Sequence, residues 1–200
     1  MKLGRLTLRE LALLAGDHLR RRGVDAVLTG EACVSIYTRN RFLSYDLDFV
    51  LAAAEDRASG AEALTELGFR KEGRHFRHPD IPFLVEFLSP PLSIGGDPVR
   101  HVAELRKGEK VLRLLSPTDC VKDRLAAFYF WNDRPSLEQA LLVARRHAVD
   151  MNDIRRWSLR EGREDRFAIF RRMREKNEKR KRKLGELDIH ERKADHSSDL

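Results

Sequence analysis

The stretch TGEACVSIYTRNRFLSYDLD, residues 29–48, with the apolar run FVLAAA (49–54) behind it, decides the fold. It places Gly30 at a predicted strand-to-helix junction and, after a short helix and a polar turn, two aspartates on a predicted strand. Residues i and i+2 of a strand point to the same side, so Asp46 and Asp48 share one face. Two carboxylates held together repel each other, and they are tolerated where a divalent cation, or hydrogen bonds and water, offsets the charge.

A third carboxylate lies downstream in the segment PFLVEFL, residues 82–88. In a strand, Phe83, Val85 and Phe87 occupy one face and Glu86 the other, so this acid is embedded in an apolar strand. A buried acid needs a partner, which a metal site would supply. The alternative is that Asp-Leu-Asp forms the solvated acidic end of an edge strand, which discourages edge-to-edge pairing.

The order of these residues resembles a known family. Glycine turn, short helix, Asp-x-Asp on a strand and a lone acid on a later strand is the order of nucleotidyltransferases of the DNA polymerase beta type. The form LTGEACVSIY, followed by RFLSYDLDFV, is similar to small prokaryotic members related to the AbiEii abortive-infection nucleotidyltransferases and the minimal nucleotidyltransferases. The resemblance covers about residues 24–150 and is strongest over 27–50. One position departs from the pattern: Glu31 stands where the glycine turn usually has a small residue.

The resemblance implies nucleotidyl transfer, in which a hydroxyl attacks the α-phosphate of a nucleoside triphosphate and pyrophosphate leaves. Asp46, Asp48 and Glu86 would then hold Mg²⁺ or Mn²⁺, with Glu86 completing the nucleophile-side metal or acting as base. The acceptor is left open between a tRNA or other RNA, a protein hydroxyl and a small molecule. The expected nucleotide-binding residues are Gly30, Glu31, Arg41, Ser44 and Lys122.

Three of these nucleotide-binding positions have competing interpretations. Glu31, near a helix N-terminus, stabilises the helix, but it repels a triphosphate unless it turns away or binds the metal. Arg41 could bring positive charge to the nucleotide or be a loop arginine in water. Lys122 is expected to face the cleft and neutralise phosphate charge, and an exposed helix lysine is the alternative.

Composition bounds the class of protein. The longest apolar run, LAAFYFW (125–131), is far shorter than the roughly 20 residues that a membrane span needs, so we expect no membrane partner. Cys33 and Cys120 lack metal-type spacing and are expected to be reduced core thiols in a cytoplasmic protein. The net charge of +7 is concentrated in residues 171–183, which hold nine Lys or Arg and two Glu. This basic tail is a solvated extension or a segment that attracts nucleic acid through counterion release.

The pattern of elements predicts an α+β fold with a mixed β-sheet flanked by helices and a C-terminal helical region. We expect a nucleotidyltransferase-like core at 1–116, a helical bundle packed on it at 117–162, and a basic helical or disordered tail at 163–200. Residues 90–98 are expected to be a loop, and His75 and His78 are expected to be exposed on or just past a hairpin that turns at Gly73.

Two further functions stay open at this point. A nucleotidyltransferase-like scaffold without turnover could act by binding, with a cognate toxin or antitoxin as its partner in a toxin-antitoxin or phage-defence pair. Glu31 favours this alternative, whereas the presence of all three acids argues against it, because idle buried carboxylates are costly. A nucleic-acid-binding protein that works through the basic tail, with structural acids, is the other alternative.

Overall fold

The computed structural model describes the backbone of residues 3–195 and the side chains of residues 4–180. A 3-10 turn, Leu3–Arg5, precedes the first helix. The helices are α1 (Leu8–Arg21), α2 (Gly30–Thr38), α3 (Asp56–Glu66), α4 (Pro117–Trp131), α5 (Arg134–Arg146), α6 (Met151–Arg160) and α7 (Glu164–Asp195). The strands are β1 (Ala26–Leu28), β2 (Asp46–Leu51), β3 (Arg70–Glu72), β4 (His75–Arg77), β5 (Leu84–Leu88), β6 (Ser93–Ile94), β7 (Asp97–Pro98), β8 (Val102–Lys107) and β9 (Lys110–Leu115).

Capping residues fix the helices that flank the sheet. The Thr7 hydroxyl accepts a hydrogen bond from the Glu10 amide, and the Glu10 carboxylate accepts one from the Thr7 amide, so α1 begins with a capping box. Ser116 caps α4 by accepting from the Asp119 amide at 3.1 Å, with Pro117 at the first helical position. Both helix starts lie where the sequence predicts them.

Seven strands form one mixed sheet in the order β3-β4-β5-β2-β1-β9-β8. The central strand, β2, is parallel to β5 and antiparallel to β1, and β1 is parallel to β9. Two antiparallel hairpins, β3–β4 and β8–β9, close the two edges. The predicted α+β class, a mixed sheet flanked by helices, is therefore confirmed.

The two faces of β2 and β5 differ in polarity. Leu47, Phe49, Val85 and Phe87 are buried in the apolar core on one face. Helix α3 packs closely on this face, because a Cβ added to Gly60 would lie 3.0 Å from the Phe87 ring. The opposite face carries the carboxylates of the site.

The C-terminal helices join the same apolar core. Trp157 of α6 is fully buried and donates a hydrogen bond from its indole nitrogen to the Ile94 carbonyl at 3.1 Å. The segment expected to be a plain loop, 90–98, therefore contains a small antiparallel pair, β6–β7, that docks on α6. Phe167 and Phe170 of α7 are also buried in this core.

The two cysteines are both buried and unpaired, in accord with their prediction as core thiols. No helix in the described part of the chain is long and apolar enough to cross a membrane.

Candidate active site

The pairing of β2 with β5 brings two of the three predicted acids together. Asp48 lies directly opposite Glu86, and Asp46 lies opposite Leu84, in the parallel register of the two strands. Directly paired residues of adjacent strands have their side chains on the same face, with Cβ atoms about 5 Å apart. Asp46 is exposed, whereas Asp48 and Glu86 are half-buried. The structure thus places all three carboxylates on one face of the central strands.

Gly30 closes this cluster from the side of α2. Its φ of 67° lies in the left-handed region that favours glycine. A Cβ at this position would lie 2.8 Å from Asp48 Oδ2, so the glycine lets the start of α2 approach the carboxylate. Thr29 fixes the same junction, because its amide donates to the Asp48 carbonyl at 2.8 Å. The first amides of α2, which have no acceptor within the helix, therefore begin beside Asp48.

The Asp48 carboxyl is the electrostatic centre of the site. Burial, followed by the negative charges of Asp46 and Glu86, raises its pKa to about 6. Arg124 opposes this shift only in part. The site therefore has an excess of negative charge that a bound cation would offset.

Glu86 has two cationic neighbours on the β3–β4 hairpin. Its Oε2 lies 3.2 Å from His75 Nε2 and 3.6 Å from Arg74 Nε. The contact follows from the sheet register, because His75 stands directly opposite Glu86 in the β4–β5 pair. His75 is therefore half-buried against the carboxylate, and the expectation that it is simply exposed was wrong.

Glu31 is held away from the triphosphate position by the C-terminal helices. Its Oε1 accepts a hydrogen bond from Gln139 Nε2 at 3.1 Å and lies 3.6 Å from Arg124 Nη1. Arg124 is largely buried and also donates to the Asp123 carboxylate at 2.6 and 2.9 Å. Burial opposes the charge of Arg124, but Asp123 outweighs it and raises the pKa of the guanidinium. The carboxylate of Glu31 is thus paired rather than free.

Ser44 and Arg41 lie on the turn before the aspartates. Ser44 is buried, and its hydroxyl donates to the Asp46 carbonyl at 3.0 Å and accepts from the Asp46 amide at 3.2 Å. Its amide donates to Ser35 Oγ at 2.9 Å, which ties the turn to α2. The Ser44 hydroxyl therefore shapes the start of β2, while Arg41 is exposed to solvent.

Lys122 does not lie with the carboxylate cluster. Its ammonium contacts Asp119 at 3.3 Å and also pairs with Asp153 of α6. Residues two apart on a helix point about 200° away from each other, so Lys122 and Arg124 occupy opposite sides of α4. The expectation that Lys122 faces the cleft is corrected: Arg124 is the α4 cation beside the site.

The comparisons with known proteins give distant structural likenesses. No protein-family model matches the chain, and no curated protein matches it. The fold is similar to the solution structure of the antibiotic-resistance factor ANT(2'')-Ia, with a TM-score of 0.45 and 15% identity over 95% of this chain and 100% of that one. It is also similar to the crystal structure of ANT(2'')-Ia in complex with adenylyl-2''-tobramycin, with a TM-score of 0.44 and 16% identity over 82% of this chain and 95% of that one. Likenesses this distant assign no function, so the function is inferred from the residues of this chain.

The acids fit a hard divalent cation in their chemistry. No three His, Cys, Asp or Glu side chains among the described residues converge closely enough to hold a metal ion as they stand. Mg²⁺, however, is usually held by one or two carboxylates together with waters and substrate phosphates. Asp46 and Asp48 supply two carboxylates on one face, and Glu86 could join them once its carboxylate turns from His75. The raised pKa of Asp48 has a cause, uncompensated negative charge, that such a cation would remove.

Proposed function

We propose that this protein transfers a nucleoside monophosphate from a nucleoside triphosphate to a hydroxyl acceptor. The observation that supports this most is the direct pairing of Asp48 with Glu86 on adjacent parallel strands, with Asp46 on the same face. Gly30 adds a backbone approach to the Asp48 carboxylate that a side chain would block. Two-metal phosphoryl-transfer sites need several oxygen ligands on one concave side.

In this proposal, Asp46 and Asp48 hold Mg²⁺, and Glu86 completes the cluster. When bound, the ion neutralises charge on the phosphates and lowers the pKa of the attacking hydroxyl. Glu86 orients the acceptor hydroxyl or takes its proton, and the His75 contact fixes the direction of the Glu86 carboxylate. Geometry of this kind contributes to the rate chiefly through positioning and charge stabilisation.

The triphosphate in this proposal lies against the start of α2. The amides after Gly30 offer donors, and the helix N-terminus favours negative charge. Arg41, exposed on the turn before β2, is free to approach the phosphates from solvent. Gln139 and Arg124 hold the Glu31 carboxylate, so that its charge is balanced when the nucleotide binds.

The experiment is a label-transfer assay with Mg²⁺, each α-labelled nucleoside triphosphate, and three classes of acceptor: RNA including tRNA, protein, and small hydroxyl compounds. Asp48→Asn should lower transfer by about 100-fold or more, because charge stabilisation at a metal site contributes several kcal/mol. Asp80→Asn, at an exposed aspartate on a turn outside the cluster, is the matched control and should keep full activity. Absence of transfer by the wild-type protein with every triphosphate and acceptor would refute the proposal.

Binding without turnover is the second candidate function. The contacts that favour it are the ones that tie Glu86 to His75 and Arg74, and the presence of an acid at position 31. Here the protein would bind nucleotide and a protein partner, such as a cognate toxin or antitoxin, as part of a defence pair. Mg²⁺-dependent nucleotide binding with no transfer to any acceptor, in the wild-type protein and in Glu31→Ser, would favour this candidate over the enzyme.

A further inference from the structure

A charged cavity lies between α3 and the β3–β4 hairpin. It has a volume of about 450 Å³, within the range of small-ligand sites. Its floor is apolar, made of the methyl groups of Ala54, Ala58 and Ala61 and the edge of Phe76. Its other lining residues are Glu55, Arg57, Lys71, Gly73 and Arg74. Three cations against one acid give the cavity a net positive charge.

The hairpin carries more positive charge than its own acids balance. Between Arg70 and Arg77 there are four Lys or Arg and one Glu. Arg77 pairs with Glu72 at 3.0 Å. Arg70 stands directly opposite Arg77 in the strand register, and like charges placed opposite each other are destabilising. Both faces of the hairpin therefore present cations, and an anionic partner would relieve their repulsion.

Arg74 connects this cavity to the candidate active site. It lines the cavity, and its Nε also lies 3.6 Å from Glu86 Oε2. The cavity therefore adjoins the strand that carries Glu86, the acid proposed to act on the acceptor hydroxyl. A ligand bound in the cavity would lie next to the acceptor side of the site.

We propose that this cavity and hairpin bind the sugar-phosphate backbone of a single-stranded nucleic acid, whose terminal hydroxyl is the acceptor of the transfer. The identity of the acceptor rests on the proposed function, whereas the binding itself does not. Arg57 and Lys71 contact phosphates, and the alanine floor receives one nucleotide unit. Arg74 contacts a phosphate next to Glu86.

A nucleic acid fits these features better than an acidic protein surface does. A flat protein surface needs no nucleotide-sized recess with an apolar floor. Cations on an edge strand also discourage aggregation, but that role requires neither the cavity nor Arg57, which lies on α3. Phosphate contacts by Lys and Arg position a nucleic acid without reading its sequence, so binding of low sequence specificity is expected.

The test measures the affinity of the full chain for a fluorescent, unstructured RNA of about 12 nucleotides, a length that spans one such groove. In Arg57→Glu/Lys71→Glu, the dissociation constant should rise about tenfold or more, and the salt dependence of binding should weaken by about 1.4 in the log–log slope, 0.7 for each lost phosphate contact. Arg9→Glu/Lys110→Glu makes the same change in net charge at two exposed positions outside the cavity and should change the affinity less than about threefold. Equal weakening in the two double variants, or none in the cavity variant, would overturn the proposal.

Two further arms separate other ligands. If poly-glutamate of matched charge binds as tightly as the RNA and loses affinity in the same variant, the surface recognises charge alone and the nucleic-acid assignment fails. If ATP or inorganic phosphate displaces the RNA with no dependence on RNA length, the cavity holds a mononucleotide or phosphate instead. With transfer active, the cavity variant should raise KM for RNA while KM for the nucleoside triphosphate stays unchanged. RNA binding that depends on the cavity in a protein without transfer would refute the enzyme but leave the binding inference standing.

Discussion

At the scale of single residues, Asp48 makes the clearest prediction. Its pKa is about 6 in the folded chain, against an ordinary value of 3.8, so folding above pH 6 carries the cost of keeping this carboxylate ionised. The folded state binds more protons than the unfolded state between these values, and stability therefore falls as the pH rises from about 4 to about 6. Asp48→Asn should stabilise the metal-free protein by about 1–3 kcal/mol at pH 7.5, at 1.36 kcal/mol for each pKa unit.

Urea unfolding at several pH values measures this effect. The stabilisation by Asp48→Asn should shrink as the pH falls through about 6 and nearly vanish near 4. Asp80→Asn is again the control, and its unfolding midpoint should not move. A wild-type protein that is as stable as Asp48→Asn at every pH would mean that the carboxylate is not desolvated in the cluster.

Gly30 gives a second residue-scale prediction, with Gly23 as its control. Both have φ values in the left-handed region, 67° and 78°, so alanine at either position should cost about 1–2 kcal/mol of stability. Only at position 30 would the new methyl group meet Asp48 Oδ2, since a Cβ at position 23 has no atom within 4 Å. Gly30→Ala should therefore also weaken Mn²⁺-dependent nucleotide binding, measured by calorimetry, whereas Gly23→Ala should not. Equal binding by the two variants would show that the close approach at Gly30 has no part in the site.

The sequence predicts the acids at this scale but not their neighbours. Asp46, Asp48 and Glu86 follow from strand periodicity, which is a local property. The contact of His75 with Glu86 depends on β4 pairing with β5 across the connection from His78 to Phe83. A hairpin can be predicted from its own turn, whereas its attachment to a third strand is a tertiary property that the local pattern does not encode.

At the scale of secondary-structure elements, α4 shows the same limit. Its start at Pro117 and its apolar stripe of Val121, Leu125 and Phe128 could be predicted from capping and from the helical period. The cations Lys122 and Arg124 lie off the stripe on its two sides, and periodicity cannot say which side adjoins the site. The packing of α2 and α5 against α4 decides it, through the contacts of Arg124 with Glu31 and Gln139.

The opposite sides of α4 lead to a prediction about the pKa of Asp48. Arg124 lowers that pKa, so Arg124→Gln should raise it above its wild-type value, whereas Lys122→Gln should leave it in place. Both variants should lose stability, by about 1–4 kcal/mol, because each removes one partner of a largely buried ion pair. Titration of the Asp48 carboxyl carbon by NMR distinguishes the two. Equal shifts in both variants would contradict the assignment of Arg124 to the site.

The small hairpin β6–β7 was not predicted, for a related reason. Its strands are two residues each, and residues 90–98 contain the prolines and glycines typical of loops. Its pairing is supported from outside, by the Trp157 indole on the Ile94 carbonyl and by the Gly96 amide on the Glu161 carboxylate. Both partners lie more than 60 residues away in the sequence, so no local signal could have indicated them.

At the scale of the whole molecule, the start of α7 belongs to the folded unit. Phe170 is fully buried and Phe167 nearly so. Two guanidinium groups near the start of α7 also stack on rings of α4: Arg163 lies 4.9 Å from the Phe130 centroid, and Arg166 lies 5.0 Å from that of Phe128. The basic residues 171–183 begin where this packing ends, so charge and packing are divided along one helix.

Truncation tests this division. A chain of residues 1–180 keeps every buried side chain described for α7 and should unfold in urea at the wild-type midpoint. A chain of residues 1–163 loses the two phenylalanines and should be destabilised by about 3–6 kcal/mol, at about 1.5–3 kcal/mol for each buried aromatic side chain. Because domains are stable by only about 5–15 kcal/mol, the shorter chain should be partly unfolded at 37 °C. If residues 1–163 instead unfold cooperatively at the wild-type midpoint, α7 only rests on the surface, and the apolar core of the enzyme ends with α6.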